Sequence, residues 1–309
     1  MWYFLWLAVL ILGVIALWPF SMERRRNPIG VDERHGAEGQ FANLSQGVTH
    51  YRWVGSTRGP VAVVIHGLTT PMEGMEVVAE GLGALGYRVL MYDLYGRGLS
   101  DAPPGRQNRA FFSRQLTDLL AYHGLLQDEL TLAGYSMGGA IAVAYATENP
   151  FLVKRVILFA PGGIVLNTSR FSRFCTRVLV LGDWWHALVA HGRFRRDIHD
   201  RGQTPQIDKV FRAQRRQLNR RGFLPAVLSS RRGMLSEIQK AEHVQLGKKG
   251  IPVVAIWAEA DAVIPLSAIG RLAEWNRWAR HEVVEQASHA MPFTHGAEAI
   301  EALRTALRD

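Results

Sequence analysis

Five short apolar runs dominate the sequence, at residues 61–66, 88–93, 130–135, 155–159 and 252–257, each near-continuous in Val, Ile, Leu and Ala. A strand with one wet face alternates apolar and polar side chains, so runs without alternation need cover on both faces. The stretches at 72–85, 109–125, 136–148, 267–279 and 296–307 have the length and spacing to supply that cover as helices. Together they predict an α/β fold, a mostly parallel sheet flanked by helices. Residues 49–54 read as an earlier edge strand and 282–284 as a late one. With 309 residues and 48% hydrophobic side chains the chain can fill such a core, which excludes disorder as its main state.

The alternation breaks after Phe159. Between residues 162 and 250 no strand is legible, and the segment offers arginine-rich amphipathic helices with Trp184 and Trp185 among them. Connections in such folds usually run about 2 to 6 residues around the helix, so this insertion reads as a helical cap. The expected organisation is an anchor at 1–22, a polar and glycine-rich linker at 23–48, the first part of the core at 49–161, the cap at 162–250 and the rest of the core at 251–309.

The anchor is expected because residues 1–22 contain no Asp, Glu, Lys, Arg or His. From Trp2 to Trp18 the run would measure roughly 25 Å as a helix, close to the hydrocarbon thickness of about 30 Å. Trp2, Tyr3 and Trp6 at one end, with Trp18 and Phe20 at the other, suit the two interfaces. A cleaved signal peptide would carry a basic start and a small-x-small cleavage site, and neither is seen before Glu23. Arg24, Arg25 and Arg26 follow, which predicts a single-pass protein with its catalytic domain on the cytoplasmic side.

Net charge is +9, yet residues 162–250 alone hold 18 basic and 6 acidic side chains, a balance of +12, so the rest of the chain is slightly acidic. A basic cap on a tethered body reads as facing an anionic lipid surface and not nucleic acid, with a set of solvated helix faces as the alternative. Arg193, Arg195, Arg196, Arg215, Arg216, Arg220 and Arg221 are the candidates for that surface. Cys175 is the only cysteine, so a disulfide framework or a cysteine-based metal cluster is excluded.

Gly134, Tyr135, Ser136, Met137 and Gly138 form G-x-S-x-G between a predicted strand and a predicted helix. On such a turn the serine hydroxyl projects above the sheet, and glycines let strand and helix approach without Cβ clashes. A hydroxyl is a poor nucleophile at neutral pH and needs a base, oriented by a carboxylate. Asp261 follows the run ending at Trp257, and His289 follows the next short strand, which gives the chain order serine, aspartate, histidine. Glu259 is the rival orienting acid, set aside because it falls too near the strand end to reach across. His295 is a second choice for the base, at a predicted helix start.

On these residues the chain resembles capped serine hydrolases of the α/β-hydrolase superfamily over about residues 49–307. The resemblance implies an oxyanion hole made by the backbone N–H groups of Leu68, which follows His66-Gly67, and Met137. Two such donors supply about 3 kcal/mol each at the transition state. Leu68 and Thr69 replace the glycines of the HGGG variety, which disfavours esters of bulky tertiary alcohols, and Ala287 stands where many relatives have glycine. Asp93 and Asp101, flanking Gly96-Arg97-Gly98, are expected to shape the pocket's loop, and His66 to brace the oxyanion loop.

Other patterns carry less. Gly81-x-Gly83-x-x-Gly86 ends a helix and precedes a strand, the reverse of a dinucleotide fingerprint. His186, His191 and His199 lack carboxylate or cysteine partners at ligand spacing, so no metal is expected, and the mechanism implies no cofactor. The expected activity is ester hydrolysis through an acyl-enzyme on Ser136, with lipid-like acyl esters as substrate. A carbon–carbon bond hydrolase of ring-cleavage products and a perhydrolase share this elbow and stay open as alternatives, as does a catalytically silent membrane scaffold.

Overall fold

The computed structural model describes residues 2–166, 168–198 and 203–308. Its centre is an eight-stranded sheet in the order β1-β2-β4-β3-β5-β6-β7-β8. The strands are β1 (Gln40–Leu44), β2 (Gly47–Gly55), β3 (Val61–Ile65), β4 (Arg88–Tyr92), β5 (Leu130–Tyr135), β6 (Val153–Phe159), β7 (Val253–Ala258) and β8 (Arg280–Val284). β2 pairs antiparallel with β1 and with β4, and all remaining pairs are parallel.

The five apolar runs are the central strands, and their side chains divide by parity. Val61, Val63 and Ile65 enter one core with Leu90, Leu132, Leu158 and Trp257, beneath α4 (Arg109–Tyr122) and α5 (Met137–Glu148). Ala62 and Val64 enter the other with Met91, Ile157 and Ile256, beneath α3 (Glu76–Ala84) and α13 (Gly296–Arg308). Burial on both faces is why these strands do not alternate. The glycine pattern at the end of α3 serves packing: a Cβ on Gly83 would stand 2.7 Å from the Cα of Gly55, and one on Gly81 2.4 Å from Ile300.

Two segments differ from expectation. Residues 23–48 are more than a linker: they hold a helical turn, α2 (Val31–Arg34), and strand β1, which turns through Ser45 and Gln46 onto β2. Strand β1 is therefore the edge and β2 lies inside it. Only Ala42 of β1 is buried, so its composition is that of a surface segment.

The insertion between β6 and β7 contains α6 (Arg170–Arg177), α7 (Leu179–Asp197), α8 (Pro205–Leu218), α9 (Phe223–Arg232) and α10 (Lys240–Lys248). The first four cover the carboxyl ends of the strands, whereas α10 packs on α5 and on α11 (Ser267–Trp275), in the helical layer of the sheet. A short helix, α12 (Met291–Thr294), links β8 to α13. At the amino terminus α1 (Trp2–Arg24) is long and apolar enough to cross a membrane, with mean hydropathy 2.3 over its most apolar window. Pro19 is its one buried residue. The end of α1 and the chain after it are stitched to the cap: Asn27 N–H donates to Asn219 O at 3.1 Å, Arg221 N–H to Asn27 O at 2.8 Å, and Gly222 N–H to Glu23 Oε1 at 2.7 Å.

Candidate active site

Ser136 stands on the turn from β5 into α5 with φ 52° and ψ −115°, a left-handed conformation that non-glycine residues adopt only under constraint. The constraint is visible around it. Ser136 N–H donates to Phe159 O at 3.0 Å, and its carbonyl accepts from Gly162 N–H at 2.8 Å. A Cβ on Gly134 would fall 2.3 Å from Gly138 O, and one on Gly138 2.1 Å from Ile65 O, so both positions require glycine.

His289, in the loop after β8, places Nε2 3.0 Å from Ser136 Oγ and Nδ1 2.7 Å from Asp261 Oδ2. Asp261 leaves the end of β7, and its other oxygen accepts the N–H groups of Val263 at 2.7 Å and Ile264 at 2.8 Å. Those bonds hold the carboxylate in a buried position with one oxygen toward the imidazole. The three residues thus form one hydrogen-bonded line, geometry suited to moving a proton from Ser136 onto His289 while Asp261 stabilises the cation. Glu259 points elsewhere, accepting Gln286 N–H at 2.8 Å. His295 contacts Thr294 at 3.0 Å at the start of α13.

Leu68 and Met137 sit beside this line. Met137 is the first residue of α5, where a helix provides no acceptor for its N–H. Leu68 follows β3 in a loop held from both sides. Its carbonyl accepts from Arg97 Nε at 3.1 Å. His66, behind it, contacts Gly67 O through Nδ1 at 2.8 Å and accepts Leu94 N–H on Nε2 at 2.9 Å, so the proton lies on Nδ1. Burial holds His66 neutral, with its pKa lowered to about 4. Asp93 also braces the loop, bonding His50 at 2.8 Å, Met72 N–H at 3.0 Å and Leu99 N–H at 2.9 Å. Burial works against its charge, but the hydrogen bond and charge of His50 outweigh it and hold the carboxyl far below the usual range. Asp101 accepts Val48 N–H at 2.7 Å and pairs with Arg34 at 2.6 Å.

Two contributors escaped the sequence reading. Tyr135, the variable residue before the serine, donates its hydroxyl to His289 O at 2.7 Å. Arg97 is fully buried and reaches Tyr95 O at 2.9 Å and Ser230 Oγ at 2.8 Å, with Ala226 O at 3.3 Å and Gln107 as further acceptors. Burial pushes its pKa down to about 9. The only signal for Tyr135 was its place inside G-x-S-x-G, and for Arg97 its place between two glycines.

Above Ser136 lies a cavity of about 1500 Å³, reached by Leu68, Val165, Leu179, Leu235 and Ile264. Of the candidate cap arginines, Arg193, Arg195, Arg196, Arg216 and Arg221 are exposed, and Arg215 and Arg220 are half-buried. Arg232 faces inward to Asp183 at 2.5 Å, Arg221 donates to Arg24 O, and Arg216 lies 3.6 Å from Glu73. Burial also lowers the pKa of Arg220. Arg193 is exposed, stacked 4.7 Å over Phe171. No group of His, Cys, Asp and Glu among the described residues could hold a metal ion. His186 is buried, His191 touches Asn219 at 3.3 Å, and His199 lies outside the described residues.

Comparison with known proteins adds to this geometry. The alpha/beta hydrolase fold family matches residues 60–296. An uncharacterized protein of Mycobacterium tuberculosis (strain H37Rv) is 31% identical over 154 residues, covering 50% of this chain and 44% of that one. The matched stretch is thus less than half the length of that relative. The pimeloyl-[acyl-carrier protein] methyl ester esterase of Chromobacterium violaceum is 29% identical over 265 residues, 80% of this chain and 93% of the esterase. Among solved structures, a membrane phospholipase A described as a bacterial virulence factor superposes with a TM-score of 0.71 at 20% identity, covering 100% of this chain and 98% of that one.

Proposed function

This chain belongs to the α/β-hydrolase fold family, and from that premise we propose that it is a membrane-anchored serine hydrolase of carboxylic, lipid-like acyl esters. The observation that carries the reading is the unbroken line from Asp261 through His289 to Ser136, at 2.7 and 3.0 Å, at the floor of the large cavity.

In this mechanism Ser136 Oγ attacks the ester carbonyl carbon as His289 Nε2 takes the hydroxyl proton. The tetrahedral oxyanion rests on the N–H groups of Leu68 and Met137. The alkoxide leaves with the proton from His289, which makes the acyl-enzyme. Water, deprotonated by the same nitrogen, attacks the acyl carbon, and the acid departs as the proton returns to Ser136. Asp261 stabilises the imidazolium in both halves.

The lipid-like substrate is supported by the apolar side chains of the cavity and by an amino-terminal helix with the properties of a membrane span. The likeness to a membrane phospholipase A and to a methyl ester esterase supports the same class. With Arg24, Arg25 and Arg26 following the span, the body faces the cytoplasm.

The test is fluorophosphonate labelling of the full chain beside Ser136→Ala, with turnover of vesicular long-chain and soluble short-chain esters. Labelling lost in Ser136→Ala, with faster turnover of the vesicular ester, is the expected result. Equal labelling of both proteins refutes the mechanism, and complete inertness supports the silent scaffold. Preference for a small water-soluble acid puts carbon–carbon bond hydrolysis first. Protease protection in oriented membranes tests the side on which the body lies.

A further inference from the structure

The hydrolytic mechanism makes no use of the amino-terminal end of α7. Phe174, Val178, Leu179, Val180, Leu181 and Trp185 are all exposed there, an apolar ridge at the elbow where α6 turns into α7. Between Phe174 and Gly182 the only charged residue is Arg177. A ridge of this kind on a protein with a membrane-spanning helix calls for an occupant.

The relation of α7 to α1 identifies it. Trp184 Nε1 donates to Ile15 O at 3.0 Å. That carbonyl is the one Pro19, which has no N–H, leaves without its helical partner. Farther along, His191 touches Asn219, whose carbonyl accepts Asn27 N–H just beyond α1. The two helices therefore run side by side in the same sense, and the ridge precedes Trp184 on the side away from Arg24. From Ile15 to Arg24 is roughly 14 Å along a helix, which remains roughly 10 to 13 Å of depth at tilts of about 20 to 40°. With Arg24 to Arg26 at the headgroups, the ridge falls within hydrocarbon. There the indole N–H and the freed carbonyl satisfy each other where water cannot.

We propose that the α6–α7 elbow is seated in the bilayer beside α1, and that the cavity over Ser136 opens into the acyl-chain region at this point. The lining that includes Ser136 and His289 extends to Thr176, Arg177 and Leu179 on the elbow itself. The lining between the elbow and the serine offers an acyl chain Val165, Leu179 and Leu235, alongside the stems of Arg177 and Arg231. The proposal rests on the anchor reading given under the proposed function, and its occupant is the membrane lipid.

The experiment uses the full chain in phosphatidylcholine–phosphatidylglycerol vesicles, with an environment-sensitive fluorophore on Val180→Cys or, separately, on Gly13→Cys. Gly13 reports on the anchor alone, since nothing lies within 4 Å of a Cβ built there, and the native Cys175 is buried. Both labels are expected to be quenched by spin labels on the lipid acyl chains and shielded from aqueous iodide. Iodide quenching at Val180 with lipid quenching at Gly13 overturns the elbow proposal and leaves the anchor standing. Iodide quenching at both positions overturns the anchor reading too. Shielding of Val180 that appears only as protein per vesicle rises assigns the ridge to a second copy of the chain, and overturns the proposal. In parallel, Val180→Asp with Leu181→Asp is expected to slow hydrolysis of a vesicular long-chain ester about tenfold or more, with a soluble short-chain ester changed by less than about twofold. Equal loss on both substrates overturns it.

Discussion

Replacing Tyr135 by Phe isolates one bond of the site. The ring stays, and only the hydroxyl that donates to His289 O at 2.7 Å is removed. That oxygen is partly buried, and leaving it without its donor costs about 1 to 2 kcal/mol of stability. The larger effect is on geometry, because the bond fixes the backbone of the residue whose Nε2 must stay 3.0 Å from Ser136 Oγ. A displacement near 1 Å at such a contact costs about 100-fold in rate. Partial restraint by Asp261 on Nδ1 limits the drift, so kcat is expected to fall about 10- to 100-fold with KM within about twofold. The assay is steady-state turnover of a soluble short-chain ester, with the rate of fluorophosphonate labelling as an independent reading of Ser136 reactivity. Unchanged kcat with only lowered stability would refute the reasoning and leave Tyr135 a packing residue. A raised KM at constant kcat would instead make it a substrate contact.

Asp261→Asn is expected to reduce kcat by about 10⁴, while Glu259→Gln changes it by less than about threefold; the reverse ranking would transfer the orienting role. His243 is buried with neither ring nitrogen hydrogen-bonded among the described residues, and burial lowers its pKa to about 4. As pH falls below about 6.5 the unfolded chain takes the proton first, so stability is lost down to the folded value. His243→Leu should therefore gain stability over wild type by an amount that grows by about 2 kcal/mol between pH 8 and pH 5, measured by denaturant unfolding in detergent; a gain independent of pH would count against it. Gly138→Ala sets a Cβ 2.1 Å from a backbone oxygen, which has no side-chain freedom to move away. It should cost about 3 kcal/mol or more, read as a lowered melting temperature or lost expression, and a variant as stable as wild type would show that elbow to be looser than described.

What was legible in the sequence follows from what each residue is asked to do. The central strands announce themselves because Val61 to Ile65 and their neighbours are buried on both faces, leaving no polar position to blur the run. Ser136, Asp261 and His289 were readable as candidates because chemistry restricts their types and the fold restricts their order. Strand β1 was not readable, since an edge strand with one buried side chain has the composition of a loop. Tyr135 and Arg97 act through a single hydroxyl and a single guanidinium, and neither leaves a periodic trace. The cap's charge was countable, but not its direction: a count cannot tell Arg232, turned in toward Asp183, from Arg193 on the surface.

Arg97 has a consequence for motion. Its guanidinium joins the carbonyl of Leu68, below, to Ala226 and Ser230 on α9, above, in a site sealed from water. A cap that swung upward as a rigid body would strip that cation of its upper acceptors, a penalty of about 1 to 3 kcal/mol for each group left bare, and would pull on the loop that presents the Leu68 N–H. The α9 side of the cap is thus latched to the catalytic floor, and passage of substrate and product that leaves Arg97 in place has to avoid that side.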